Sequence, residues 1–428
     1  MKLLLRNFYI LDGSMEKARR ADVLVDGGLI REIAEPYGLS VENCETVDGK
    51  GEKLIIPGFF NAHCHAAMTL LRGLGEERPL MEWLEQKIWP LEAHLTKAAV
   101  YAGTMQAIAE MALGGVSGFT DMYYFMDQVA RAVNETGVRC SVSFGVVRDP
   151  EKFKASLYRD ITPLGGPKII NSIDPHAPYT VPFDFICQTA AEATRRGLPL
   201  QTHFLEAPWE RGYFKDTIKM TPIEYLEKTG LVKVPHLVLA HCVQFTQEEV
   251  EYLAAHPNIT AVHCPASNLK LGSGVAPVPD MLAAGAHVAL GTDGASSNNR
   301  LDMWGEMRLT SLIHKGVRHD PLSLTARQIL TMATYEGAQA FGYEKVGMLR
   351  TGWAADLTLV DIASPNYLGA DDENMAAYLI YAGSSADVVS VLCSGEWIVR
   401  DRKFLPRPMG QIITESAKQR NWLISQRS

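Results

Sequence analysis

A chain of 428 residues, 47% hydrophobic and 21% charged, holds apolar material for one large α/β domain with a smaller companion. Its formal net charge of -8 argues against a nucleic-acid partner held by phosphate contacts, since no basic excess exists to release counterions. No run of about 18 apolar residues is present to span a bilayer, and Met1-Lys2-Leu3-Leu4-Leu5-Arg6 has too short an apolar core for a signal peptide, so a cytoplasmic location is expected.

The seven cysteines (Cys44, Cys64, Cys140, Cys187, Cys242, Cys264 and Cys393) are odd in number, widely spaced and free of any Cys-X-X-Cys. They read as small apolar packing in a reducing compartment.

Residues 1–53 read as short β segments, with Asp26-Gly27-Gly28 supplying a hairpin turn. Such a segment is too short to bury its own core. Strand-like runs at 355–361, 388–393 and 395–400 offer a partner, so 1–53 and 345–428 are expected to form one small β-sandwich domain from both chain ends. The intervening 54–344 alternates apolar runs (54–60, 116–120, 140–147, 168–173, 198–204, 237–240, 259–262 and 287–290) with helical patterns such as 98–113, 182–196, 247–255 and 278–284. That alternation predicts an α/β fold of the (β/α)8 TIM-type barrel class, in preference to a doubly wound sheet. The stretch 80–94, between the first strand and its helix, is a long excursion expected to form a lid or pocket wall.

The polar residues at the strand ends carry the functional reading. The first strand runs into His63-Cys64-His65, and alternation in an extended chain points both histidines one way and Cys64 the other. Strand four ends in Asp174-Pro175-His176, strand five in His203 followed by Glu206, strand six in His241, strand seven in His263 and strand eight in Thr292-Asp293-Gly294. In a parallel barrel all these ends reach one face, so the groups converge.

Three histidines and one carboxylate suit a catalytic divalent cation with one position open to water. His63, His65, His203 and Asp293 are assigned as ligands, His241 as a neighbour that holds or deprotonates water, and Glu206 as a proton carrier. A cation there lowers the pKa of water from 15.7 toward about 7. Zinc is the first expectation, and iron accepts the same donors. Two-metal sites of this kind carry a bridging lysine or glutamate at the end of strand four. Here Lys168 opens that strand and His176 closes it, so one cation is expected.

His263 is expected to support the barrel mouth without being a ligand. His94, His236, His256, His287, His314 and His319 have no strand-end placement and are expected in solvated or capping roles. The stretches 268–274 and 296–299 are loop material at the same face.

The chain resembles the amidohydrolase superfamily, and within it the 5′-methylthioadenosine/S-adenosylhomocysteine deaminases. The resemblance covers nearly the whole chain and rests on PGFFNAHCH at 57–65, DPHAPYT at 174–180, THFLE at 202–206, LAHCV at 239–243, HCPASNLKLGSGVAPV at 263–278, GTDGASSNN at 291–299 and GWAADLTLVD at 352–361. It implies hydrolytic deamination of an adenine nucleoside (S-adenosylhomocysteine, 5′-methylthioadenosine, adenosine or 5′-deoxyadenosine) to the inosine analogue and ammonia. Glu206 would pass a proton to the ring nitrogen, while His241 and Asp293 help activate water.

By the same resemblance Glu92 takes the ribose hydroxyls, as suits a carboxylate facing a diol, and His176 contacts the purine. Arg139 and Arg148, flanking the third strand, would grip a homocysteine carboxylate, and Trp83 and Trp89 would wall the tail pocket. A small-molecule nucleoside and a homo-oligomeric assembly are thus the expected partners. Two other readings remain open: an aminohydrolase or chlorohydrolase of another heterocycle (guanine, cytosine, a pterin or an s-triazine), and a non-catalytic metal-binding scaffold.

Overall fold

The computed structural model describes residues 2–143 and 165–426. The chain begins with β1 (Lys2–Ile10), β2 (Arg19–Asp26), β3 (Leu29–Ala34), β4 (Glu45–Asp48) and β5 (Lys53–Pro57). The middle holds β6 (Phe59–Asn61), β7 (Val116–Asp121), β8 (Arg139–Ser143), β9 (Ile169–Ser172), β10 (Leu200–Phe204), β11 (Leu237–His241), β12 (Ile259–His263) and β13 (His287–Leu290). It closes with β14 (Leu357–Asp361), β15 (Val388–Cys393), β16 (Glu396–Arg400) and β17 (Lys403–Phe404).

Strands β6 to β9 and β10 to β13 form two four-stranded parallel sheets in sequence order. Backbone bonds close both seams: Ile173 N donates to Pro199 O (3.1 Å), and Ala62 N donates to Leu290 O (2.9 Å). The result is the TIM-type barrel. Its strands are buried on both faces, which is why they read as continuous apolar runs without alternation. Helices start and stop where the sequence supplies caps. Thr96 Oγ1 accepts from Ala99 N at the head of Lys97–Leu113, Thr246 and Glu249 form a capping box on Gln247–Ala254, and Gly197 ends Phe183–Arg196 in a left-handed conformation.

The run 54–60, expected as one barrel strand, is divided between two sheets. β5 pairs antiparallel with β14 and parallel with β1, whereas β6 starts the barrel. The division falls at Pro57-Gly58, where a Cβ on Gly58 would lie 2.2 Å from Ser117 Oγ. Both chain ends meet at the β14–β5 pairing inside one nine-stranded sheet, ordered β17-β16-β15-β14-β5-β1-β2-β3 with β4 on β1. The C-terminal helix Met409–Ser425 does not join that sheet. It packs on Lys97–Leu113 of the barrel, with Ser416 Oγ donating to Ala102 O (3.1 Å).

Arg139 fastens barrel to end sheet, which corrects its expected place beside the substrate. It opens β8, so it lies roughly 15 Å, one five-residue strand, from the carboxyl ends. Its Nε donates to Asp356 Oδ2 (2.5 Å), and its Nη2 donates to Asp356 Oδ1 (3.1 Å) and Ser394 Oγ (2.7 Å). Both charged partners are buried. Removing one partner of such a pair strands the other charge, so Asp356→Ala is expected to cost about 3–5 kcal/mol in denaturant unfolding. A loss under about 1 kcal/mol, the level of an exposed pair, would show that the junction does not depend on it.

Candidate active site

Five side chains from four barrel strands meet at the carboxyl-end mouth. His63 and His65 follow β6, His203 lies in β10, His241 ends β11 and Asp293 follows β13. The ring centroids of His63 lie 4.9 Å from His65, 4.8 Å from His203 and 5.3 Å from His241. Asp293 Oδ1 is 3.6 Å from His63 Nε2 and 3.3 Å from His65 Nε2. Two overlapping sets, His63 with His203 and His241, and His63 with His65 and Asp293, each bring their donor atoms within 4.8 Å of one another. His241 (φ 77°) and Asp293 (φ 59°) sit in the left-handed region that non-glycine residues rarely adopt, a strain that clusters at functional sites.

The hydrogen bonds behind the rings decide what the cluster can hold. His63 Nδ1 faces Gln201 Oε1 (3.1 Å), His65 Nδ1 faces Met122 O (2.7 Å), His203 Nδ1 faces His176 O (2.7 Å) and His241 Nδ1 faces Asn268 Oδ1 (2.8 Å). A carbonyl can only accept. Gln201 is oriented by its amide nitrogen, which donates to Ala62 O (2.9 Å), so its oxygen faces the ring. Each Nδ1 therefore carries the proton, and in a neutral ring each Nε2 turns a lone pair inward.

Burial pushes His63 down to about 4 and lowers His203 and His241 as well, which keeps those rings neutral. His63 Nε2 is buried without a hydrogen bond, and His203 Nε2 sits 3.3 Å from His65 Nε2. Once His65 gives up its proton, these facing acceptors fit a divalent cation. For His65, burial opposes charge, but the hydrogen bond and charge of Asp293 outweigh it and raise the ring to about 9. A proton and a cation thus compete for the point beside Asp293.

Asp293 is itself held from several sides. Its backbone N donates to His63 O (2.9 Å), and Oδ1 accepts from Gly294 N (2.7 Å). Oδ2 accepts from Ser267 Oγ (2.6 Å) and Ser297 Oγ (2.8 Å). Glu206 Oε2 lies 3.7 Å from His241 Nε2. Burial, with Asp293's charge adding to it, pushes Glu206 up to about 8, so its carboxyl keeps a proton at neutral pH. Its turn is fixed by Glu210, which accepts from the amides of Leu205, Glu206 and Ala207.

These groups open into a cavity that the 80–94 excursion also lines. Helical turns run from Leu80–Trp83 through a π-helical turn at Leu84–Ile88 to Trp89–Glu92, and Trp83, Trp89 and Glu92 all line the cavity. Tyr123 OH donates to Glu92 Oε1 (2.8 Å) and Tyr124 OH to Oε2 (3.5 Å). His176 also lines the cavity, with its ring 4.6 Å from that of His203 and Nδ1 bonded to Thr180 Oγ1 (2.8 Å).

Other candidates lie elsewhere. Arg148 falls outside the described residues. Lys168 is at the opposite end of the barrel, where Nζ meets Gly137 O, Cys393 O and Glu396 Oε2. His263 faces the helical layer, 5.2 Å from His314. His314 is buried, not solvated as expected, because its helix Met303–Arg318 presses it against β12.

Asp121, which ends β7, and Met122, Tyr123 and Tyr124 after it are site residues absent from the sequence-based expectations. Asp121 Oδ1 accepts from Ala66 N (2.9 Å) beside the histidine pair. An aspartate closing the second apolar run was the available signal.

With this geometry in view, the comparisons place the chain. Residues 54–398 match the model of the amidohydrolase family, and the chain belongs to that family. It is 41% identical to a 5-methylthioadenosine/S-adenosylhomocysteine deaminase of Dictyoglomus thermophilum, over 87% of this chain and 88% of that one. It is 36% identical to a 5′-deoxyadenosine deaminase of Methanocaldococcus jannaschii, over 94% and 95%. The crystal structure of a zinc-bound adenosine deaminase from Xanthomonas campestris superposes with a TM-score of 0.92 at 30% identity, covering 99% of this chain and 98% of that one. No helix among the described residues is long and apolar enough to cross a membrane.

Removing the group that fixes the His241 tautomer tests the hydrogen-bond reading. Asn268→Ala is expected to lower kcat about 10- to 100-fold with little change in KM, measured on protein of confirmed metal content. A kcat close to that of the parent would show that His241 needs no acceptor at Nδ1.

Proposed function

We propose that the chain catalyses hydrolytic deamination of adenine nucleosides, replacing the C6 amino group by oxygen and releasing ammonia. One observation carries the reading: a buried cation-binding cluster, a protonated Glu206 and the Glu92 carboxylate line one cavity. The named activities of the relatives, on 5′-methylthioadenosine, S-adenosylhomocysteine and 5′-deoxyadenosine, agree with it.

In this reading Nε2 of His63, His65 and His203 and Oδ1 of Asp293 hold one divalent cation, zinc or alternatively iron. When bound, it supplies a Lewis acid that makes water nucleophilic at neutral pH. The chain's own groups move the protons. Asp293 and His241 Nε2 accept a proton from the attacking water, and the neutral Glu206 donates one to the ring nitrogen beside C6. Proton return to the amino group lets it leave as ammonia. His176 lies against the purine, and Glu92, oriented by Tyr123 and Tyr124, accepts both ribose hydroxyls. Trp83 and Trp89 flank the 5′ substituent, with Arg148 as the group for a charged tail.

The reading includes a two-part chain, expected as 1–53 with 345–428 beside a barrel of 54–344, in which the β5 pairings carry 54–57 over to the β-sandwich companion built from both chain ends. The apolar cluster of Leu3, Leu5, Val23, Leu357 and Leu392 within the end sheet supports it. It also includes a homo-oligomer and a cytoplasmic setting. Exposed Leu312, Val317 and Leu322 support the first, and seven free cysteines the second.

The test is an ultraviolet screen for adenine-to-hypoxanthine conversion, with ammonia detection, over adenosine, 5′-deoxyadenosine, 5′-methylthioadenosine and S-adenosylhomocysteine. Conversion of at least one is expected. Glu92→Ala is expected to raise KM about 10- to 100-fold, the worth of hydrogen bonds to a charged group. An unchanged KM would redirect the reading to another heterocycle such as guanine, cytosine, a pterin or an s-triazine. No ammonia from any nucleoside or free base would leave a metal-binding scaffold.

A further inference from the structure

Glu306 is a buried carboxylate with no part in the proton transfers above, and it sits on the helix Met303–Arg318, outside every strand end. A buried carboxyl group costs stability unless its oxygens are engaged. Both are engaged, by two different segments. Oε2 accepts from Ala266 N (3.1 Å), in the short helix Pro265–Lys270 after β12, and Oε1 accepts from Asn298 Nδ2 (2.7 Å), in the loop after β13. Asn298 Nδ2 also donates to Thr292 O (2.7 Å), tying that loop to the residue before Asp293.

The neighbours of these two contacts give the arrangement its meaning. Ser267 follows Ala266, Ser297 precedes Asn298, and both hydroxyls donate to the same oxygen, Asp293 Oδ2. The next residue, Asn268, accepts from His241 Nδ1. One carboxylate thus fixes the separation of two segments that together saturate Oδ2, which leaves Oδ1 facing His63 and His65.

We infer that Glu306 is a positioning residue: through Ala266–Ser267 and Ser297–Asn298 it sets the orientation of Asp293 toward the cation and the attacking water. The inference rests on the deaminase reading for its kinetic consequence but not for its effect on cation binding. A hydroxyl rotates freely until its backbone is placed, and a displacement of about 1 Å at a reacting group can cost 100-fold in rate.

The test compares Glu306→Gln with the parent and with the same change in a Ser267→Ala/Ser297→Ala background. Glutamine keeps the size, but its NH2 meets one of the two N–H donors, so one contact is lost. Zinc affinity by chelator competition, kcat, KM and thermal midpoint are read on each protein. E306Q is expected to weaken zinc binding or lower kcat about 10- to 100-fold with KM within about threefold, as for residues that orient metal ligands. In the serine-free background the same change is expected to add no more than about twofold, because the path through the hydroxyls is already cut.

Should E306Q fail to fold, Glu306→Asp, which keeps two acceptor oxygens but shortens their reach, is expected to give a smaller loss that likewise vanishes in the serine-free background. Unchanged zinc affinity with kcat within about twofold, or an equal loss in both backgrounds, would overturn the inference and leave Glu306 a stabilising residue. If the parent itself releases no ammonia, the deaminase reading fails while the zinc arm still decides the role of Glu306.

Discussion

Four imidazole nitrogens turned toward one another are the constraint on which the site depends. Gln201, Asn268 and the carbonyls of Met122 and His176 each accept a hydrogen bond from an Nδ1, so His63, His203 and His241, kept neutral by burial, present lone pairs at Nε2, while Asp293 favours a proton on His65. In a buried cluster, facing lone pairs repel. A shared cation converts the repulsion to attraction, and Asp293 supplies the negative charge that draws it in. The same burial that keeps His63, His203 and His241 neutral also keeps a proton on Glu206, so ligands and acid are prepared by one environment.

The fold creates this constraint by geometry and holds it by a few long-range contacts. Parallel strands in sequence order bring residues from across the chain to one rim, and left-handed turns at His241 and Asp293 aim their side chains inward. At the opposite end Arg139 and Asp356 lock the barrel to the sheet built from both chain termini. The excursion after β6 then lines the same cavity with Trp83, Trp89 and Glu92.

Much of this was legible in the sequence, for a definite reason. A buried parallel strand has no use for ionisable groups except at its carboxyl end, so His63, His65, His203, His241 and Asp293 stood out against apolar runs. The residues that complete the site are ordinary in type and gave no such signal. Gln201 lies inside a strand, Asn268 and Ser267 lie in a short helix after one, and two of the acceptors are backbone carbonyls. Arg139 was misplaced because it flanks a strand on the side that opens it, a distinction the sequence already contained. His314 was taken as solvated because a histidine in a helix of mixed polarity does not reveal which face is buried. The division of 54–60 between two sheets was foreshadowed by Pro57-Gly58, where a strand can neither donate in register nor accept a side chain against Ser117.

X-ray absorption at the zinc K-edge, on protein loaded with one equivalent of zinc, tests the central claim most directly. The account predicts a single tight site per chain, with about three imidazole nitrogens at ~2.0–2.1 Å and carboxylate oxygen completing the shell, and loss of that spectrum in His203→Ala. Sulfur in the coordination shell, two cations per chain, or a spectrum untouched by removing His203 would contradict it.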